Sequence, residues 1–171
     1  MKKFTKFLMV GIMMSAMVGF ISCSKDEEKE ETTIEESASY AIYYEGQALT
    51  AGQTIVVSPT ADLSENPDVA AHLFMYNKTS NTLNTCFKVE LVEGPESMGA
   101  DVPVCYGVCR MHNLPYTHES IALAPGLDQN AIQVHVYTDM REGINNATYR
   151  ITVGEGDQLA NPQVCNVKFN W

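Results

Sequence analysis

From Ser39 to the C-terminus, apolar side chains come in short runs, several of which alternate strictly with polar ones. Ile132, Val134 and Val136 alternate with Gln133 and His135; Val167, Phe169 and Trp171 alternate with Asn166, Lys168 and Asn170. A period of two puts the two sets on opposite faces of an extended strand, so the apolar sets are expected to face a core. Comparable runs span 40–46, 53–59, 69–77, 83–94, 101–107, 119–126, 131–139, 147–156 and 163–171, with turn signals such as Gly52 and Pro125-Gly126 between them. The segments 66–72 (NPDVAAH) and 118–124 (HESIALA) have room for a helical turn but are too short to change the class. No internal repeat is present. Nine candidate strands with no long helical pattern predict an all-β chain, a sandwich of about 7–9 antiparallel strands.

The beginning of the chain breaks this pattern. Lys2, Lys3 and Lys6 precede an apolar run from Phe7 to Ile21, and the small residue Ser22 then precedes Cys23. That is the layout of a secretory signal, and at about 15 residues the run is shorter than the ~20 needed to span a bilayer. Phe20-Ile21-Ser22-Cys23 resembles a bacterial lipobox, with Phe20 where Leu is usual. The resemblance implies that residues 1–22 are removed and that the Cys23 thiol carries lipid. Downstream, seven acids and two lysines between Ser24 and Ser37 leave almost no apolar surface to bury. Residues 23–38 are therefore expected to be an acidic tether and 39–171 the folded domain. Ser24, Lys25, Asp26, Glu27 and Glu28, directly behind the cysteine, resemble the lipoprotein export signal of Bacteroidota. This resemblance implies display on the outer face of the outer membrane, with the periplasmic face as the alternative. The membrane partner would be held by acyl chains, each buried methylene contributing about 0.8 kcal/mol.

Charge narrows the partners. The 171 residues carry a net charge of -10, and loss of Lys2, Lys3 and Lys6 leaves 8 basic against 21 acidic residues. Such a chain repels phosphate backbones, so no nucleic acid partner is expected.

A wider resemblance covers about residues 70–171. Asn77-Lys78-Thr79, Cys105-Tyr106-Gly107-Val108-Cys109, Ala124-Pro125-Gly126, Gly143, Tyr149 and the closing Val167-Lys168-Phe169 are similar to small immunoglobulin-like modules of Bacteroidota surface and secreted proteins. It implies an immunoglobulin-like β-sandwich and a binding or stalk role more than an activity.

With Cys23 assigned to lipid, Cys86, Cys105, Cys109 and Cys165 remain, an even number in an exported chain. Gly107 lets a short loop bend back, which favours a Cys105–Cys109 disulfide. Cys86 with Cys165 is then the second expected pair, closing a loop worth about 4–5 kcal/mol in the chain-entropy model. Cys86 shares a face with Lys88 and Glu90, whereas Cys165 shares one with Val167 and Phe169, so this pair requires a β-bulge near Thr85 or Val164. The rival is a copper site on Cys105, Cys109, Met111, His112 and His118, whose soft sulfur and imidazole donors suit Cu(I). Cys-x-x-x-Cys also resembles the copper-delivery loop of Sco-type proteins, but those use a thioredoxin-like fold and no βαβ pattern occurs here. His72 and His135, each alone in a strand, are expected to be surface or packed residues.

No hydrolase, zincin or phosphate-loop motif is present, so an enzyme is not expected, nor a cofactor. Asp128-Gln129-Asn130 and the acids from Asp62 to Asp68 have oxygen atoms for Ca²⁺ but suit turns better. The Asn77 and Asn146 sequons carry no expected role in a bacterial lipoprotein. Tyr40, Tyr43, Tyr44, Tyr106, Tyr116 and Trp171 provide either core volume or flat stacking surfaces for a carbohydrate or protein ligand. The sequence thus predicts a non-catalytic binding, adhesion or accessory lipoprotein, with an envelope copper-handling protein as the alternative.

Overall fold

A computed structural model describes residues 34–59, 68–138 and 146–171. The signal, Cys23 and Ser24 to Glu28, together with Asp62 and Gly143, lie outside the described residues. The strands, in chain order, are β1 Tyr40–Tyr44, β2 Gln47–Ala48, β3 Thr54–Val57, β4 Asp68–Asn77, β5 Leu83–Glu93, β6 Val102–Tyr106, β7 Val108–His112, β8 Tyr116–Thr117, β9 Ile121–Leu123, β10 Gly126–Tyr137, β11 Asn146–Glu155 and β12 Ala160–Asn170. The expected alternation places them in two layers. One sheet has the order β2-β1-β4-β10-β6-β7 and the other β3-β12-β11-β5-β8, with β9 also paired to β5. Among the described residues no helix is long and apolar enough to cross a bilayer.

The core is built from the inward set of each strand. Leu73, Met75, Ile132 and Val134 of the first sheet meet Phe87, Val89, Ile151, Val167 and Phe169 of the second, all fully buried. Side chains of this size each contribute about 1.5–3 kcal/mol when removed from water. Two polar contacts fix the layers against each other. The Thr85 hydroxyl of β5 donates to Tyr40 Oη of β1 at 3.1 Å, and Tyr149 Oη donates to the carbonyl of Met98 at 2.8 Å. Met98 belongs to a single 3-10 turn, Glu96–Gly99, in the connection between β5 and β6.

Packing begins ahead of β1. The Ser37 hydroxyl accepts from the Tyr40 amide and donates to the Asn161 carbonyl, while the Ser37 amide donates to Gln163 Oε1. Gln163, itself fully buried, donates onward to the Leu49 carbonyl. The segment leading into the sandwich is thus pinned to the start of β12.

The strands expected at 69–77 and 83–94 form to within a residue, and the one expected from 131 is β10, which runs to Tyr137 and starts earlier, at Gly126, with a bulge between Leu127 and Ala131. Two expectations need correction. The sandwich is not wholly antiparallel, because β3 runs parallel to β12. After the β1–β2 hairpin the chain changes sheets at Gly52, and a connection that changes sheets need not reverse direction. The Gly52 amide donates to Val164 and the Asn166 amide to Gln53, both at 2.8 Å, guiding β3 alongside the last strand.

The second correction concerns Cys86 and Cys165, which are free buried thiols and not a disulfide. Each lies on a different neighbour of β11: Cys165 opposite Ile151, Cys86 opposite Gly154. Two strand spacings and a three-residue offset put their Cα atoms about 14 Å apart, twice the reach of a disulfide. A bulge could not bring them together, since a whole strand intervenes. Cys86 does lie on the Lys88 and Glu90 side of β5, as its spacing indicates, yet it is fully buried there. The β11–β12 turn covers it: the Gly156 amide donates to Asn84 at 2.8 Å, and the Cys86 thiol faces Asp157 Oδ1 at 3.7 Å.

Candidate functional site

The β6–β7 hairpin brings together most of the residues that the sequence marks for chemistry. Gly107 turns the chain with φ +70°, a conformation glycine adopts without steric cost. Tyr106 then pairs with Val108 and Cys105 with Cys109, whose Cα atoms are 3.9 Å apart and whose sulfurs are bonded, so the expected disulfide is present. Because β7 is an edge strand, both of its faces reach solvent, and alternation sorts the side chains between them. Arg110 and His112 share one face with Val104 and Tyr106; Cys109 and Met111 share the other with Pro103 and Cys105. The five residues of the copper alternative therefore do not converge. Cys105, Cys109 and Met111 lie on the outer face, and His112 and His118 on the inner.

The inner face of the hairpin overhangs the edge of the second sheet, where β8 leaves a cleft of about 400 Å³. Tyr106, Arg110, His112, Tyr116, His118 and Glu119 line it. The rings are ordered against one another. His112 stacks on Tyr116 with centroids 3.6 Å apart and planes 20° apart, and His118 stacks on the buried Phe87 at 4.7 Å. Tyr106 and Tyr116 each meet His118 edge-on. The His118 amide donates to the Phe87 carbonyl at 2.8 Å, and its Nδ1 donates to the Glu119 carbonyl at 2.7 Å, so the neutral ring keeps its lone pair on Nε2.

Electrostatics keep most of these rings uncharged. Burial, then Arg110 and His118, push the His112 imidazole below its usual pKa, so it is neutral at pH 7. Burial and the Asp128 carboxylate, to which its hydroxyl donates, hold Tyr106 well above the usual phenol range. Burial and Glu119 raise Tyr116 as well. Arg110 is exposed and brings a fixed positive charge to the cleft of an otherwise acidic chain. Asp128 has a turn role, its Oδ1 accepting from the Asn130 amide at 3.2 Å inside the β10 bulge, as its spacing suggests. Asn77 is likewise structural: its Nδ2 donates to the carbonyls of Asn81 and Leu123, and its Oδ1 accepts from Thr79.

The outer face also holds a histidine that the sequence marks only as a surface or packed residue. His135 of β10 has one ring nitrogen within 4.8 Å of both the Cys105 and Cys109 sulfurs. Its Nδ1 lies 3.0 Å from both Asp68 oxygens, and its Nε2 3.2 Å from Gln133 Oε1. The proximity follows from register, since Gln133 is the cross-strand partner of Cys105. No spacing along the chain reveals such a register. His72, exposed on β4, has its ring 6.5 Å from that of His135. Of the other aromatic candidates, Tyr40 is core, Trp171 packs against the core, and Tyr43 lies 5.4 Å from Tyr76 on the outer face.

No protein-family model matches the chain, and no curated protein matches it in sequence. Solved structures do resemble it. The N-terminal domain of PorA superposes with a TM-score of 0.57 at 9% identity, covering 77% of this chain and 96% of that one. The CooA pilin subunit from enterotoxigenic Escherichia coli gives a TM-score of 0.42 at 9% identity, covering 77% and 97%. A PapD-like domain of human CEP192 gives 0.40 at 9% identity, covering 93% and 94%. The chain is a two-sheet β-sandwich whose fold is like that of the N-terminal domain of PorA.

Proposed function

We propose that this chain is a lipid-anchored, surface-displayed, non-catalytic binding module, and that the cleft beneath the β6–β7 hairpin receives an acidic sugar of a glycan. The ordered set of rings beside Arg110 carries the assignment. Flat faces on Tyr106, His112 and Tyr116 suit the apolar face of a pyranose ring, and the one cation among them selects a carboxylate or sulfate substituent. A cleft of about 400 Å³ lies within the size range of small-ligand sites. The acidic chain around it repels anions in general, so the local positive charge of Arg110 distinguishes this cleft from its surroundings.

The anchor follows from Cys23 and the export sequence behind it. Acyl chains at the mature N-terminus hold the domain to the outer membrane, and the acidic tether carries it to the cell surface. Two experiments test the two parts separately. Titration of the full chain with uronic-acid and matched neutral oligosaccharides, followed by NMR, is expected to shift the ring resonances of His112 and Tyr116 with the acidic series alone. Arg110→Gln should abolish the preference for the acidic series. Equal response to both series, or none, would remove the cleft from the function. In cells, Cys23→Ser should lose incorporation of a palmitate label and release the chain from membranes. Protease added to whole cells should digest the lipidated form, and protection until lysis would point to the periplasmic face.

A further inference from the structure

We infer that the outer face of the hairpin is a redox-gated Cu(I) site, in which reduction of the Cys105–Cys109 disulfide frees two thiolates to bind the metal together with His135. This goes beyond glycan binding and uses the opposite face of β7, so either can fail alone. The donors are already gathered: both sulfurs and a ring nitrogen of His135 lie within 4.8 Å of one another. They come from two elements held in register, with Cys105 across from Gln133 on β10, two residues from His135. A two-residue step along a strand returns to the same face, which is why His135 and the disulfide share one side.

The surroundings of His135 fit a ligand role. Asp68, on the neighbouring strand β4, sits 3.0 Å from Nδ1 through both oxygens. A carboxylate there holds the proton on Nδ1, which leaves the Nε2 lone pair for a metal. Nε2 lies 3.2 Å from the side-chain amide of Gln133, the residue opposite Cys105, and a metal on Nε2 would displace that contact. Met111, two residues from Cys109 on the same face and 58% exposed, adds a thioether at the rim. Two thiolates, one imidazole and a thioether form a soft donor set that prefers Cu(I) to hard cations.

The gating step balances. A dithiol reductant attacks one sulfur, the Cys105–Cys109 bond breaks, and two electrons and two protons pass to the chain as the reductant leaves as its own disulfide. Cu(I) then displaces the two thiol protons to solvent and keeps its oxidation state. With the disulfide closed, the sulfurs have no thiolate charge to offer and the site is shut.

The test uses the full chain, oxidised and reduced, in competition with a chromogenic Cu(I) chelator under anaerobic conditions. Reduced protein is expected to bind one more equivalent of Cu(I) than the Cys105→Ser/Cys109→Ser variant, whose remaining thiols report uptake by Cys86 and Cys165. His135→Gln should weaken that extra equivalent at least 10-fold and Asp68→Asn about 10-fold, with X-ray absorption showing one nitrogen and two or three sulfurs in the wild type, the third from Met111. The Cys86→Ala variant should bind as the wild type does. His135→Gln leaves the disulfide in place, so its melting temperature in the oxidised form separates lost ligation from lost folding. The site is refuted by equal binding in oxidised and reduced protein, by unchanged affinity in a folded His135→Gln, or by an equal count in the double serine variant. Preference of the reduced chain for Zn²⁺ over Cu(I) would refute the choice of ion.

Discussion

Gly154→Ala should loosen the β11–β12 turn and expose a thiol that is otherwise sealed. An alanine in a strand ordinarily gains about 0.5–1 kcal/mol over glycine through lower backbone entropy. Here the added Cβ would lie 2.6 Å from Leu159 Cα and carbonyl carbon and 2.7 Å from its oxygen. Carbon pairs prefer about 3.5–4.0 Å, so the clash is about 1 Å deep, and it is with backbone, which cannot swing aside as a side-chain end can. Leu159 already has φ +51°, so the turn has little freedom to rotate away. Overpacking of this kind costs about 1–3 kcal/mol, which outweighs the entropy gain and leaves a net loss of about 1 kcal/mol. That should lower Tm by about 3–5 °C for a domain of this size. If the loss is confined to the turn, its open fraction rises about 5-fold, and native-state alkylation of Cys86 should accelerate in proportion. Burial and Asp157 hold the Cys86 thiol above its usual pKa, so it is protected twice in the wild type. Cys165, with its pKa pushed up to about 12 by burial alone, should stay unlabelled and serve as an internal control. Peptide mapping after a timed pulse of iodoacetamide assigns the label. A Tm at or above wild type with unchanged Cys86 labelling would refute this account of how Cys86 is covered.

Three further outcomes follow from the same geometry. Tyr149→Phe removes the hydroxyl that donates to Met98 and should cost about 1–2 kcal/mol, measured by urea unfolding with an unchanged m-value. Reduction of the Cys105–Cys109 disulfide frees a loop of only about five residues, so calorimetry with and without reductant should differ by no more than about 2 kcal/mol and leave the sandwich folded. His112 has a folded pKa below the unfolded value of about 6.5, so the stability it contributes is complete above that pH and is lost as pH falls toward the lower folded pKa; His112→Ala should flatten the fall in stability over that interval.

The parts of the fold legible in the sequence are those where one strand face is dry. In β10 and β12, Ile132, Val134, Val167 and Phe169 are buried and their polar neighbours are not, so a period of two could be read directly. In β7 the rule has nothing to act on, because an edge strand that overhangs its partner sheet is wet on both faces. Cys109, Arg110 and Met111 are all exposed, and no alternation marked them as a strand. The disulfide pair was legible for a local reason, a glycine between two cysteines four residues apart. The other pair failed because an even count of cysteines says nothing about which strands are neighbours. The nearness of His135 to Cys105 was illegible for the same reason, since it exists only in the register of β10 on β6.

The two candidate sites are chemically separate because one strand carries both. Successive residues of β7 point to opposite sides, so Arg110 and His112 face the cleft while Cys109 and Met111 face His135. A change on one face reaches the other only through the β7 backbone. Among the described residues that backbone is held by the disulfide, the tight turn at Gly107 and the ladder to β6, with the His112 ring stacked on Tyr116. Opening the disulfide removes the covalent element and leaves the ladder, which still pairs Val102 with His112 at the end remote from the turn. The stacked His112–Tyr116 pair therefore sits at the better-supported end, and Val108 and Arg110 at the end that reduction frees. Any effect of reductant on glycan binding should accordingly enter through Arg110, as weakened selection of the acidic group, with the ring contacts of His112 and Tyr116 retained.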